Sequence, residues 1–171
     1  MSGSSRYKTN PLVLLATPTL ETRPISWDWM DAIQSLQFPL GAAVYRWRIG
    51  GERVDIARNK IVQAGLDSNA DYILFLGDDV LPPKNLFLLL YRHRQMMVTG
   101  VYWTKTYPPE PYLWQGLLKG PYLDWKVGEF FPVDFAGCDA LLVNTEVFKN
   151  ITSPWFSLDW VFEPGHAPNP I

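Results

Sequence analysis

Short apolar runs alternate with amphipathic segments in the first half of the chain, and this alternation most constrains the fold. The runs 11–18, 42–49 and Tyr72–Leu76 have the length and composition of strands. The segments 27–38 and 52–67 repeat apolar residues at helical spacing, and Ser26 is the predicted cap of the first helix. Strands and helices that alternate with short connections predict an α/β fold, a mostly parallel sheet flanked by helices.

The second half of the chain predicts further elements around an irregular region. Patterns predict a helix over 84–94, a strand over 97–102 and another strand over 135–143, followed by a short helix capped by Asn144. The segment 104–132 is rich in proline and aromatic residues, which predicts loops and a β-hairpin laid over the site.

Length and composition exclude several classes of protein. The 171 residues suit a single domain, 1–171, with a sizeable core. Because 15 Lys and Arg residues balance 17 Asp and Glu residues, we expect no nucleic-acid partner. The single cysteine, Cys138, cannot form an internal disulfide, which indicates a reducing compartment. Apolar runs such as 86–91 are too short to cross a bilayer, so we expect a cytoplasmic protein without a transmembrane segment.

The apolar run Tyr72–Leu76 leads directly into Gly77, Asp78 and Asp79. Adjacent carboxylates repel one another and resist desolvation, so a site that keeps both ionised needs a compensating cation. The first candidate is a divalent metal, since carboxylate oxygens suit Mg²⁺ and Mn²⁺. The alternative is that the two aspartates only start a turn or cap the next helix. The carboxyl ends of the strands are where ligands bind in such sheets, which favours the functional interpretation.

Five stretches of sequence, taken together, are more specific than any single motif. They are VDIARNKIV (54–62), ADYILFLGDDVLPP (70–83), VTGVY (98–102), FAGCD (135–139) with Val147-Phe148, and PWF (154–156). In this order they resemble a glycosyltransferase of GT-A fold and family 2 type, over roughly residues 11 to 156. The resemblance implies a Rossmann-like sheet and an inverting transfer of sugar from a nucleotide-sugar donor, a UDP- or GDP-sugar, to an unknown hydroxyl acceptor.

The resemblance also implies a metal cofactor bound by the aspartate pair. Asp79 matches the last aspartate of the family's Asp-x-Asp motif and would bind Mn²⁺ or Mg²⁺ that bridges the donor's diphosphate. Asp78 matches the middle position and would reach the ribose or assist the metal. A metal held by carboxylates neutralises the charge that develops on a leaving diphosphate without proton transfer.

Four further residues take nucleotide-binding roles from the same resemblance. Thr17 and Pro18 match the loop after the first strand, which in the family cradles the base. Arg58 and Asn59 match the family's Arg-Asn pair, which would order the nucleotide pocket from the flank of a helix.

The chain departs from the family pattern at two points. Gly77 stands at the first motif aspartate, and no Glu-Asp pair follows the Pro-Trp-Phe stretch to supply a catalytic base. Asp139, Asp159 and Glu163 are the candidates for the base, each with the alternative of a solvated or capping acid. His166 either completes the metal shell or lies in an exposed loop.

Other interpretations remain open on the sequence alone. The missing Glu-Asp pair fits a truncated chain, or a minimal enzyme whose acceptor site comes from a partner subunit. It also fits the main alternative function, a catalytically degenerate module that binds a nucleotide sugar or a glycan. A Gly-Asp-Asp motif is also typical of RNA-dependent polymerases, but this chain lacks their second aspartate cluster, basic channel and length.

Eight tryptophans are an unusual number for a chain of this length. Aromatic faces bind sugars as well as they pack cores, and packing is the default role for most of these residues. Trp114 and Trp125 lie in the irregular region and Trp103 directly precedes it, and we expect all three to contact the donor sugar or the acceptor.

Overall fold

A computed structural model of the protein describes residues 8–22, 24–116 and 119–158. Asp159, Glu163 and His166 therefore lie outside the described residues. The elements in chain order are β1 (Leu12–Thr19), α1 (Trp27–Gln34), β2 (Ala43–Gly50), α2 (Val54–Asp67), β3 (Tyr72–Leu76), α3 (Leu86–Tyr91), β4 (Met97–Thr99), β5 (Leu113–Trp114), β6 (Phe135–Ala136), β7 (Ala140–Asn144) and α4 (Glu146–Lys149).

The central sheet has the strand order β2-β1-β3-β7-β4. β1 runs parallel to both β2 and β3, whereas β7 is antiparallel to both β3 and β4. Four strands thus point one way and β7 points the other way between two of them. The predicted α/β class and mostly parallel sheet are confirmed, and the carboxyl end of β3 adjoins the start of β7.

Helices cover both faces of this sheet because alternate residues of β1 and β3 point to opposite sides. Val13, Leu15 and Leu74 pack in one core cluster with residues of α1 and α3. Leu14 and Ile73 pack in the other cluster with residues of α2 and α4. All five residues of β3 are buried, as expected for an uninterrupted apolar strand between two helical layers.

Helix α1 is shorter than predicted, although its start is as expected. The Ser26 side chain accepts a hydrogen bond from the Trp29 N–H at 3.1 Å, which confirms the predicted cap. The helix ends at Gln34 rather than near residue 38, and the Gln37 N–H donates to the Lys84 carbonyl at 2.7 Å. A tertiary hydrogen bond therefore replaces the last predicted helical turn. α2 likewise begins at Val54, two residues later than predicted.

The later elements are also shorter than the sequence predicts. α3 is restricted to Leu86–Tyr91 and β4 to Met97–Thr99. The predicted strand 135–143 is wrong as a single element, because residues 137–139 separate β6 from β7. Asn144 is the last residue of β7 and Thr145 is the cap residue of α4, yet the Asn144 Oδ1 accepts the Glu146 N–H at 3.0 Å.

The irregular region forms a second small sheet. β5 and β6 pair antiparallel, and a separate bridge joins Trp103 to Pro111. Loops with β-pairing were expected here, and the described residues confirm that pattern. Among the described helices, none is both long and apolar enough to cross a membrane.

Candidate functional site

The turn after β3 is fixed by hydrogen bonds to both backbone groups of Gly77. The indole Nε1 of Trp29 donates to the Gly77 carbonyl at 2.8 Å from α1, and this bond is buried. The Gly77 N–H donates to the Asp139 carbonyl at 3.1 Å, just before β7 begins. The turn that contains Asp78 and Asp79 is therefore held by α1 on one side and by the residue that precedes β7 on the other.

Glycine is required at position 77 because the Asp139 side chain approaches it closely. A Cβ atom on Gly77 would lie 2.8 Å from Cβ and 2.9 Å from Cγ of Asp139. The same point is 3.1 Å from Oδ1 of Asp79. The space that a side chain at 77 would fill is thus taken by Asp139. Position 77 is therefore glycine for a physical reason, since a carboxylate from the residue before β7 reaches this spot.

Arg58 joins helix α2 to this carboxylate. Its Nη2 donates to Oδ1 of Asp139 at 3.1 Å, and the Arg58 side chain is only 17% exposed. The guanidinium also lies over the Phe156 ring, 5.8 Å from its centroid. The Nε atom is buried and has no hydrogen-bond partner among the described residues. A buried guanidinium N–H usually has an acceptor, so this donor fits a site for an anionic or hydroxyl group.

The burial of Asp139 alters its acid–base properties. Desolvation raises the pKa of the Asp139 carboxyl, partly offset by the Arg58 charge, while the charges of Asp79 and Asp78 raise it further. Burial also raises the pKa of the neighbouring Cys138 thiol and of the Tyr102 hydroxyl, which accepts the Asp139 N–H at 3.2 Å. The Asp139 backbone and side chain are therefore held by contacts from separate elements.

The Asp79 carboxylate has a cation from the chain itself beside it. Lys105 Nζ lies 2.6 Å from Asp79 Oδ2, with the lysine side chain 67% exposed and the aspartate side chain 31% exposed. The sequence predicted that the aspartate pair needs a compensating cation, and it did not single out Lys105. Nothing in the spacing distinguishes this lysine from Lys119 or Lys126 in the same irregular region.

The acidic donor set fits Mg²⁺ or Mn²⁺ in chemical type. Asp78 and Asp79 have carboxylate oxygens, the ligand type that both ions prefer. The Asp139 Cγ and the Asp79 Oδ1 lie 2.9 and 3.1 Å from the point that a Cβ atom on Gly77 would occupy. Within residues 8–22, 24–116 and 119–158, no group of three or more His, Cys, Asp or Glu side chains is arranged to hold a metal. Both ions commonly complete their coordination with water and phosphate oxygens.

Thr17 and Pro18 lie in a strand, so the prediction that they form a loop after β1 is wrong. β1 extends to Thr19 because its last three residues pair with 48–50 of β2. Pairing of β1 with β3 ends earlier, at Ala16. Thr17 and Pro18 therefore extend past the end of the β1–β3 pairing, toward the same edge of the sheet as the Gly77 turn.

Asn59 binds the segment that follows α4. Its Nδ2 donates to the carbonyls of Asp55 and Phe156 at 2.9 and 2.7 Å. Its Oδ1 accepts the N–H groups of Trp155 and Phe156 at 2.8 and 3.1 Å. Asn59 thus fixes Phe156 beneath Arg58, and its predicted role in ordering a nucleotide pocket stays a prediction.

We expect Asn59→Ala to lower the free energy of unfolding by about 2–4 kcal/mol, because several partly buried backbone groups lose their partner. Chemical denaturation measures this change. Gln63→Ala is the matched control on the same helix, since the bond of exposed Gln63 within the described part of the chain is an (i, i+4) pair with exposed Asp67. This variant should change stability by about 0.5 kcal/mol or less. Equal losses in the two variants would contradict the role of Asn59.

Asp55 is a buried residue of this region that the sequence analysis missed. Arg53 donates two hydrogen bonds of 2.7 Å to its two oxygens, and the Leu158 N–H donates to Oδ2 at 3.2 Å. The hydrogen bonds from Arg53 lower the pKa of the Asp55 carboxyl. Asp55 and Asn59 lie one helical turn apart, so their (i, i+4) spacing on α2 was the available signal.

The three tryptophans singled out from the sequence belong to two separate groups of aromatic side chains. Tyr102 and Tyr112 stack with ring centroids 5.7 Å apart, and Trp114 meets Tyr112 edge-on. Trp103 and Trp125 form a separate tilted pair with centroids 6.1 Å apart. The tryptophans singled out from the sequence therefore divide into one packed beside a tyrosine stack and two that contact each other.

No family model and no curated protein matches the chain. The fold is similar to that in the crystal structure of A197 from STIV, with a TM-score of 0.62 and 18% sequence identity. The match covers 85% of this chain and 71% of that chain. This likeness shows a shared α/β fold, and any function must be argued from the residues at the edge of the sheet.

Proposed function

We propose that the protein is a metal-dependent glycosyltransferase with a variant of the GT-A fold, which moves a sugar from a nucleotide-sugar donor to a hydroxyl acceptor. One observation carries the proposal. Asp79, Asp139 and Arg58 come from three separate parts of the chain and meet around the Gly77 turn, which also contains Asp78, at the carboxyl end of β3. Ligands of α/β sheets bind at this edge.

The aspartate pair serves the donor side of the reaction in this proposal. Asp79 and Asp78 would hold Mn²⁺ or Mg²⁺, and the bound cation would neutralise charge on the leaving diphosphate. Arg58 supports the same side, because its buried Nε has no acceptor among the described residues and a phosphate or ribose oxygen could supply one. The UDP- or GDP-sugar remains the proposed donor class.

Asp139 fits the leaving-group side better than the role of catalytic base. An inverting transfer needs the base on the face of the sugar opposite the diphosphate, where it can take a proton from the acceptor hydroxyl. Asp139 instead lies against Gly77, as Asp79 does, and its carboxylate pairs with Arg58. We therefore assign Asp139 to support the donor site and keep Asp159, outside the described residues, as the proposed base.

Nucleotide contacts are proposed for residues beside this centre. Thr17 and Pro18 extend past the pairing of β1 with β3, which suits contact with the base or ribose. Asn59 acts through the segment it binds, since it fixes Phe156 against the Arg58 guanidinium. Asn59 is thus proposed as a positioning residue.

The tilted tryptophan pair is the proposed contact surface for a saccharide acceptor. Trp103 is 52% exposed and lies two residues before Lys105, which contacts Asp79. Aromatic faces with polar surroundings suit the C–H faces of sugars. Trp114 is a weaker candidate because its ring packs edge-on against Tyr112.

We expect Trp103→Ala to raise the KM for a saccharide acceptor about tenfold while donor affinity stays unchanged, because an aromatic contact is lost only on the acceptor side. Initial rates over a panel of saccharide acceptors measure this change. Trp47→Ala, on the edge strand β2, is the matched control and should leave the KM unchanged. Lower stability with normal acceptor kinetics would identify Trp103 as a packing residue.

Calorimetric titration with UDP, GDP and their sugars, with and without Mn²⁺, tests the proposal. We expect binding that depends on the metal, followed by hydrolysis or transfer of the sugar. Metal-dependent binding without turnover would favour the alternative, a degenerate nucleotide-sugar-binding module. Absence of metal-dependent binding to every nucleotide would overturn both functions and return Asp78 and Asp79 to the role of a turn.

A further inference from the structure

The contact between Lys105 and Asp79 depends on a hydrogen-bonded hairpin. Residues 103–111, here the Lys105 hairpin, are closed at their base by the bridge between Trp103 and Pro111. Above it, the Thr104 N–H donates to the Glu110 carbonyl at 2.8 Å, and the Glu110 N–H donates to Thr104 Oγ1 at 3.0 Å. Lys105 directly follows Thr104, so these hydrogen bonds fix its backbone, whereas its side chain is largely exposed.

The ammonium group of Lys105 and a divalent cation would compete for the same oxygen. Lys105 Nζ is 2.6 Å from Asp79 Oδ2, and Asp79 is the principal metal ligand of the proposed function. Two cations on one carboxylate oxygen repel each other strongly at such distances. A metal that binds Asp79 Oδ2 therefore requires the lysine side chain to move.

We propose that Lys105 is a donor-binding residue, which holds Asp79 when no donor is bound and moves to the donor diphosphate when the cation takes its place. The inference rests on the proposed function. The displaced ammonium stays near Asp79, because the Lys105 hairpin is tied at both ends and a lysine side chain has limited reach. The diphosphate bridged by the cation brings negative oxygens into that range, and a flexible ammonium is a common phosphate ligand.

This exchange predicts effects of opposite sign from one substitution. Without Lys105, Mn²⁺ alone no longer competes with this ammonium group for Asp79 Oδ2 and should bind more tightly. With Mn²⁺ present, a nucleoside diphosphate loses an ammonium contact and should bind more weakly. A lysine that only stabilised the hairpin would not produce this pair of effects, and neither would a lysine that only competed with the metal.

The test compares Lys105→Ala and Lys105→Arg with the wild type by calorimetry, using Mn²⁺ alone and then UDP and GDP at saturating Mn²⁺. For Lys105→Ala we expect Mn²⁺ alone to bind about two- to fivefold more tightly, as for loss of one exposed ion pair. We expect the tighter-binding nucleotide to bind about tenfold more weakly, as for one lost charge-assisted hydrogen bond. Lys105→Arg should keep nucleotide affinity within about threefold, because the positive charge remains.

Lys149→Ala is the matched control, since Lys149 also forms a 2.6 Å ion pair with a carboxylate, that of Glu146 on α4. It should change neither affinity, and circular dichroism should report the same fold for every variant. If Lys105→Ala leaves nucleotide affinity at the wild-type value, the inference is wrong while the proposed function stands. If the wild type itself binds neither nucleotide with Mn²⁺, the proposed function and the inference fall together.

Discussion

The variant Asp79→Asn is expected to weaken the Mn²⁺-dependent binding of UDP or GDP by about 100-fold or more, because loss of even an outer-shell partner of a metal ligand costs about 10- to 100-fold. The substitution keeps the shape of the side chain and removes its charge, so the change tests metal binding rather than packing. Calorimetric titration of the nucleotide at saturating Mn²⁺ measures it. Residual binding in the presence of a chelator gives the metal-independent part.

The fold of this variant should remain intact, because the ion pair with Lys105 involves a largely exposed lysine. Such pairs contribute about 0–1 kcal/mol to stability. Asp67→Asn is the matched control, since Asp67 is an exposed aspartate at the far end of α2. If Asp79→Asn retains metal-dependent affinity, Asp79 is not the principal metal ligand and its assigned role is wrong.

Strand β3, which leads into the site, was the most predictable part of the fold. Tyr72–Leu76 has the predicted bounds because a uniform apolar run lies between Asp71 and Gly77, and both faces of the strand are covered by helices. Helix ends were less predictable, since α1 stops where Gln37 finds the Lys84 carbonyl, 47 positions away. Local periodicity carries no information about such partners.

The residues of the candidate site were also only partly predictable from local sequence. Asp78 and Asp79 could be singled out because they directly follow an apolar strand. The contact between Arg58 and Asp139 spans 81 positions and exists only because β7 runs antiparallel beside β3. Apolar residues on both sides of residues 137–139 made two strands look like one, which concealed the turn that brings Asp139 to Gly77.

The second large effect is expected at Gly77, whose replacement by alanine should lower the free energy of unfolding by about 1–3 kcal/mol through overpacking. The new Cβ would lie 2.8 Å from Cβ of Asp139. Neither residue can move freely, since Gly77 bonds Trp29 and the Asp139 carbonyl, and Asp139 bonds Tyr102 and Arg58. Chemical denaturation measures the loss.

Gly100→Ala is the matched control, because a Cβ there would meet its nearest atoms at an ordinary 3.6 Å. It should change stability by about 0.5 kcal/mol or less. Equal costs at the two glycines would contradict the close approach of Asp139 to Gly77.

A double-mutant cycle with Asp139→Gly isolates the contact between the two positions. Removing the Asp139 side chain has its own cost, but Gly77→Ala should then become nearly neutral, with a coupling of about 1–2 kcal/mol between the two substitutions. That coupling would mean that position 77 is a glycine because Asp139 occupies its side-chain space.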